Sequence, residues 1–176
     1  MRIDNILIID RSTMPIIEAL ITWIHLISAS IWVGGSLFLG VVFAPLLKTF
    51  SESAEERLTI MIRVGRKFNK IAVPSLGILI ATGLYNSYNI LTRQELFSTN
   101  YGIILAIKII LVIALIAVFA AHIRIIRPEI EKKIESKEMS QDSIQKIRSQ
   151  IIVLGRIIVF ISIAVLLMAA MLDAGV

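Results

Sequence analysis

The chain contains no cysteine. That excludes disulfides, thiolate metal ligands, iron–sulfur clusters and covalent c-type haem attachment, and it leaves His, Met and carboxylates as the strong metal donors. Charge is also scarce: Asp, Glu, Lys and Arg make up 18% of the residues, where a soluble domain carries about a quarter. Aromatics account for 7% and histidine occurs twice. Aliphatic residues fill the 176 positions, which are 57% hydrophobic, and the mean hydropathy is +0.86. Ile alone supplies about a fifth of the chain. Such a polypeptide cannot present a wettable surface, so a soluble globular domain, a disordered chain and a secreted disulfide scaffold are all excluded. The net charge of +5 then reads as basic membrane loops rather than as a nucleic-acid surface. The expected surroundings are a lipid bilayer, with no nucleic-acid partner.

A membrane span needs about 20 mostly apolar residues. Stretches at 16–47, 71–91, 101–123 and 151–172 satisfy this. The first is too long for a cleavable signal, and no small-residue cleavage pattern follows it. The connections set the direction. Lys48, Arg57, Arg63, Arg66, Lys67 and Lys70 precede the second span. Arg124, Arg127, Lys132, Lys133, Lys137, Lys146 and Arg148 separate the third from the fourth. The opposite side has only Arg2, Arg11 and Arg93. The positive-inside rule then predicts a multi-pass protein of the cell membrane with both termini outside. The expected fold is all-α: an integral membrane four-helix up-and-down bundle, with residues 1–176 forming a single transmembrane domain.

Local signals add detail. Ser53-Ala54-Glu55-Glu56 has the form of a capping box, so the basic connections are expected to extend the helices. Pro128 is expected to kink the third helix, because it cannot donate to the Arg124 carbonyl. Ile123, Ile126, Ile130 and Ile134 recur at helical spacing and predict an apolar stripe. Ser140 to Ser143 marks the break before the fourth helix. Ala29, Ser30, Gly34, Gly35, Ser36 and Gly40 crowd the first span, with Gly77 and Gly83 in the second, and predict close helix packing in lipid. Gly34-Gly35 has no Lys-Ser/Thr partner and is not a phosphate loop. Nothing in the chain resembles a Ser-His-Asp constellation or a zinc motif.

Ionisable groups inside spans are costly and point to function. Here they are Glu18, His25, Lys108, His122 and Asp173. At helical rise, His25 falls roughly 13 Å below the start of the first span and Lys108 about 10 Å below the start of the third. Met168 and Tyr85 fall near the same level, with Glu18, Met171 and Asp173 above. His122 lies about 17 Å further along the membrane normal, which disfavours a bis-His haem held by one chain and leaves a His/Met haem using His25 and Met168 open. Imidazole and thioether donors suit Cu(I), which makes His25, Met168, Met171 and Asp173 the expected metal set. Lys108 in that layer would instead welcome an anionic group such as a haem propionate, which makes His25 and Lys108 the expected contacts of a haem b. Both readings stand at this point.

The same residues carry a resemblance. Trp23-Ile24-His25-Leu26, then Ile31-Trp32-Val33-Gly34-Gly35, resembles the opening helix of the CopD family of copper-resistance membrane proteins. Arg66-Lys67-Phe68 through Thr82-Gly83-Leu84-Tyr85, and Tyr101-Gly102 through Lys108, resemble its following segments. The resemblance implies copper handling at or across the membrane by a four-helix core. A weaker one, through His25 and Lys108, is to the HemJ type of protoporphyrinogen oxidase. That family's Arg-x-x-Asn-Glu-x-Pro segment is missing here, where Gly155-Arg156-Ile157-Ile158 stands. The functions expected are therefore copper handling or homeostasis, a non-catalytic accessory subunit of a larger copper or haem complex, or a b-type haem protein. Four helices are few for alternating access, so a homo-oligomer or other membrane subunits are expected as partners.

Overall fold

The computed structural model describes residues 14–51, 53–92 and 99–175. The flank and connection that carry Arg2, Arg11 and Arg93 lie outside the described residues. Among those described, all regular structure is helical: α1 (Met14–Leu37), a π turn (Phe38–Phe43), α2 (Ala44–Phe50), α3 (Ala54–Thr92), α4 (Asn100–Ile125), α5 (Pro128–Glu135) and α6 (Gln141–Asp173). Four segments among the described residues are long and apolar enough to cross a membrane; three contain an expected span, and the second, Ala54–Tyr88, overlaps the expected 71–91. The protein is an all-α, multi-pass membrane bundle.

The helices run past the lipid. The 39 residues of α3 reach about 58 Å at helical rise, roughly twice the hydrocarbon thickness. Its start is capped differently from the box that the sequence predicts. The Ser53 hydroxyl does accept the Glu56 N–H at 3.4 Å. The Glu56 carboxylate, however, takes the Ser51 hydroxyl at 2.5 Å, and Ser51 Oγ accepts the Ser53 N–H at 3.2 Å. Ser51 thus completes the cap by relay. Pro128 ends a helix rather than kinking it: α4 stops at Ile125 and α5 starts at Pro128. Arg127 between them is extended, at φ −70° and ψ 153°, as a residue before proline prefers. The fourth helix starts where expected, with Ser140 Oγ accepting the Ser143 N–H at 3.3 Å.

In the first span the helix widens before Pro45. The Ala44 N–H reaches back five residues to the Leu39 carbonyl. Proline has no N–H and would crowd the carbonyl four residues earlier; the π turn relieves both problems without breaking the rod.

The helices pack as two pairs, α1 on α3 and α4 on α6, joined mainly where α6 also meets α1 and α3. The small-residue prediction holds at one decisive place. A Cβ added to Gly35 would overlap the Phe68 ring of α3, whereas one added to Gly34 or Gly77 meets nothing within 4 Å. The middle of the bundle is tied by Trp32, which is 2% exposed. Its indole N–H donates to Ser162 Oγ on α6 at 3.1 Å, and its ring meets Phe119 of α4 edge-on, with centroids 4.7 Å apart. Ala72, Leu76, Leu115 and Ile158 complete this layer, so all four long helices contribute to it.

A second core lies beyond, at the end of the bundle that carries the basic connections. Leu58, Ile62, Ile126, Ile134, Ile144 and Ile151 are buried together there, which confirms Ile126 and Ile134 of the expected stripe. Glu131, whose side chain is 10% exposed, clasps α5 to α3 by accepting from Arg63 Nε at 2.5 Å and from Arg66.

Two outcomes are expected from these contacts. Gly35→Ala should destabilise the detergent-solubilised protein by about 1–3 kcal/mol through overpacking, while Gly34→Ala should leave its thermal midpoint unchanged or higher. Ser162→Ala should cost about 0.6–1.7 kcal/mol, as interhelical hydrogen bonds in lipid do, and should cost nothing further once Trp32→Phe is present.

Candidate functional site

The Trp32 layer separates two cavities whose linings share no residue. The first, of about 360 Å³, lies on the side of the chain termini. Each helix presents one face to it: His25, Ala29 and Trp32 from α1; Leu79, Ile80 and Gly83 from α3; Leu105, Lys108 and Val112 from α4; Ser162, Leu166 and Ala169 from α6. The spacings of three, four and seven are those of single helix faces. His25 and Lys108 are its ionisable members, and the Lys108 ammonium acts electrostatically on the His25 ring. The depth argument from sequence therefore brings together the imidazole of the opening helix and the ammonium of the third.

His25 is held by a residue that sequence reasoning missed. Its Nδ1 lies 2.6 Å from Thr82 Oγ1. The Thr82 hydroxyl donates its single proton to the Ile78 carbonyl at 2.7 Å, so toward the ring it is an acceptor. In that arrangement Nδ1 carries the imidazole proton and the neutral ring keeps its lone pair on Nε2. A hydrogen bond on one ring nitrogen fixing the other as a donor to a metal is a recurring device. Thr82 is part of a Thr-Gly pair visible in the sequence, and Gly83 lies beside the ring, where a Cβ would meet His25 Cε1 at an ordinary contact distance of 3.7 Å. What the sequence did not reveal was the partner across 57 residues.

The other expected ligands are placed elsewhere. The cavity face of α6 is set by Ser162, Val165, Leu166 and Ala169. Met168 is turned about 120° from Ser162, and Met171 is on the opposite side of the helix. Both are half-buried and neither lines the cavity. Asp173 shares the cavity's angular position but lies one turn past Ala169 and is exposed. Glu18 and Tyr85 are exposed as well. No group of three or more His, Asp or Glu is arranged to hold a metal among the described residues. One chain thus supplies this cavity with a single good metal donor, the His25 imidazole.

The second cavity, of about 260 Å³, lies on the basic side of the Trp32 layer. His122 lines it, with the Ile151 backbone as a hydrogen-bond partner. The two histidines therefore face separate chambers, in keeping with the separation along the bundle read from their sequence positions. Arg57, Arg148, Arg156 and Asn69 share this second lining.

Comparison with known proteins places these features in a family. The model for copper resistance protein D (CopD) matches residues 62–172, the stretch that contains Thr82, Lys108 and Ser162. The copper transport protein CutJ of Bacillus subtilis (strain 168) is 29% identical over 123 residues, covering 69% of this chain and 21% of CutJ. An uncharacterized protein of Aquifex aeolicus (strain VF5) is 37% identical over 76 residues, covering 43% of this chain and 51% of that protein. The matched regions thus span about a fifth and about half of those two relatives. No solved structure matches. With well over half of its length matching the family model and a four-helix membrane bundle around that match, the chain belongs to the copper resistance protein D family.

Proposed function

We propose that this protein handles copper as cargo within the membrane, with His25 Nε2 as its donor in the cavity on the side of the termini. The observation that carries this reading is the Thr82 hydroxyl, which holds His25 at Nδ1 beside a chamber shared by all four long helices. Membership of the CopD family and the likeness to a copper transport protein support the same reading. Cu(I) accepts imidazole and thioether donors. Met168 and Met171 continue the soft donors along α6 toward its end, and Asp173 stands exposed there as an attraction for cations. A single imidazole does not hold Cu(I) by itself. The remaining donors come from a second copy or from another membrane subunit. The basic connections set the direction, with both termini outside.

Lys108 gives the cavity its selectivity. An ammonium beside a Cu(I) site opposes the ion unless the lysine sheds its proton or pairs with an anion. Copper therefore enters together with a change at Lys108.

Three outcomes test this function. Copper retained by the purified chain should be lost in His25→Ala and kept in His122→Ala; equal retention in the two variants would remove His25 as a donor. Thr82→Val should weaken retention about 10–100-fold, the effect usual for an outer hydrogen-bond partner, and Lys108→Met should raise it. Loss of copper in Lys108→Met would mean that the cavity accommodates an anionic group instead. Orientation has its own test, which the absence of native cysteine makes direct. Ala174→Cys should react with an impermeant maleimide on intact cells, and Ser136→Cys only after lysis.

A further inference from the structure

From the cavity on the basic side of Trp32, we infer a second binding site, one that takes a phosphate group. Arg57, Arg148 and Arg156 converge on this chamber with His122, Asn69 and Ser36, and no carboxylate among the described residues lines it. Four acids among the described residues are engaged elsewhere. Glu131 and Glu135 hold Arg63 and Arg66, Glu56 takes the Ser51 hydroxyl, and Glu55 takes the Gln141 side chain at 2.6 Å. Arg57 spends Nη1 on the Ser51 carbonyl at 2.8 Å, while its Nε is buried and has no hydrogen-bond partner. A buried guanidinium N–H without an acceptor is costly, and three guanidinium groups facing one space repel one another. An anion with several acceptor oxygens relieves that repulsion. Phosphate is the group whose geometry best matches the guanidinium fork.

The position fits a phosphate at the membrane boundary. His122 is about 33 Å along α4 from Asn100, which puts the cavity at the far edge of a hydrocarbon core about 30 Å thick. The rest of the lining is apolar, with Leu39, Phe43, Met61, Phe68 and Ile152. Arg156 is exposed, so the chamber reaches the surface of the bundle. Basic pockets between membrane helices at this level take lipid headgroups, and the same arginines would serve a free phosphate. The π turn and Pro45 form one wall, which gives the widened stretch of the first span a role in shaping the chamber.

The test uses the full chain in detergent, freed of phosphate. Inorganic phosphate is titrated calorimetrically at constant ionic strength, and native mass spectrometry counts phosphatidylglycerol retained from doped micelles. Arg148→Gln and Arg156→Gln should each weaken binding about tenfold, as loss of a charge-assisted hydrogen bond does; Arg57→Gln should do the same where its thermal midpoint shows an intact fold. Arg124→Gln, outside the lining, should bind as the parent does. Saturable lipid retention that inorganic phosphate competes away identifies a headgroup as the source. Phosphate binding without lipid retention identifies a free phosphate. Absence of both, or equal losses in Arg124→Gln and the cavity variants, overturns the site.

Discussion

The indole of Trp32 is the contact on which the rest of the bundle depends. Its N–H is satisfied by Ser162 on α6, its ring meets Phe119 on α4 in a T-shaped pair, and its own helix is pressed against α3 at Gly35. Inside lipid there is no water to drive helices together, so association rests on shape and on a few internal hydrogen bonds. Trp32 supplies both at one level. It joins the two helix pairs where they would otherwise part, and it divides the interior into two chambers of opposite character. One is an apolar space with His25 and Lys108; the other adds Arg57, Arg148, Arg156 and His122 to a largely apolar lining.

The two buried clusters follow different physics. Leu58, Ile62, Ile126 and Ile144 are each at most 2% exposed. They lie at the basic end, where water penalises exposed apolar surface and collapse is favoured. Within the spans, Phe160, Ile110 and Ile113 are left more than half exposed, as suits side chains that face acyl chains. The same residue type, Ile, thus acts as core in one place and as solvent-facing surface in another, according to the solvent.

Much of this was legible in the sequence. Composition and run length gave the spans, and helical rise put His25 and Lys108 at one level. The limits are as informative. Depth along a helix is set by residue number alone, but facing is set by number modulo 3.6. Met168 satisfied the first and failed the second, so it shares the level of His25 without lining its cavity. Thr82 was hidden for another reason: threonine in a span reads as packing, and only the packed neighbour across the helix seam shows that its hydroxyl meets the His25 ring. Pro128 shows how two local rules compete. Its effect on the preceding residue prevailed over helix continuity, and the chain stopped one helix and began another. The basic chamber was legible only as scattered arginines in two connections and a span, and three-dimensional packing was needed to reveal that they share one space.

The water-facing cluster has a bearing on biogenesis. Its members come from α3, the α4–α5 break, α5 and α6, with Ile144 and Ile151 emerging from the ribosome last. The early hairpin can settle in lipid by itself, yet Leu58 and Ile62 stay wet until the closing helix arrives. The lobe therefore closes only after α6 has been made, and a chain halted before that point would expose an apolar seam to water.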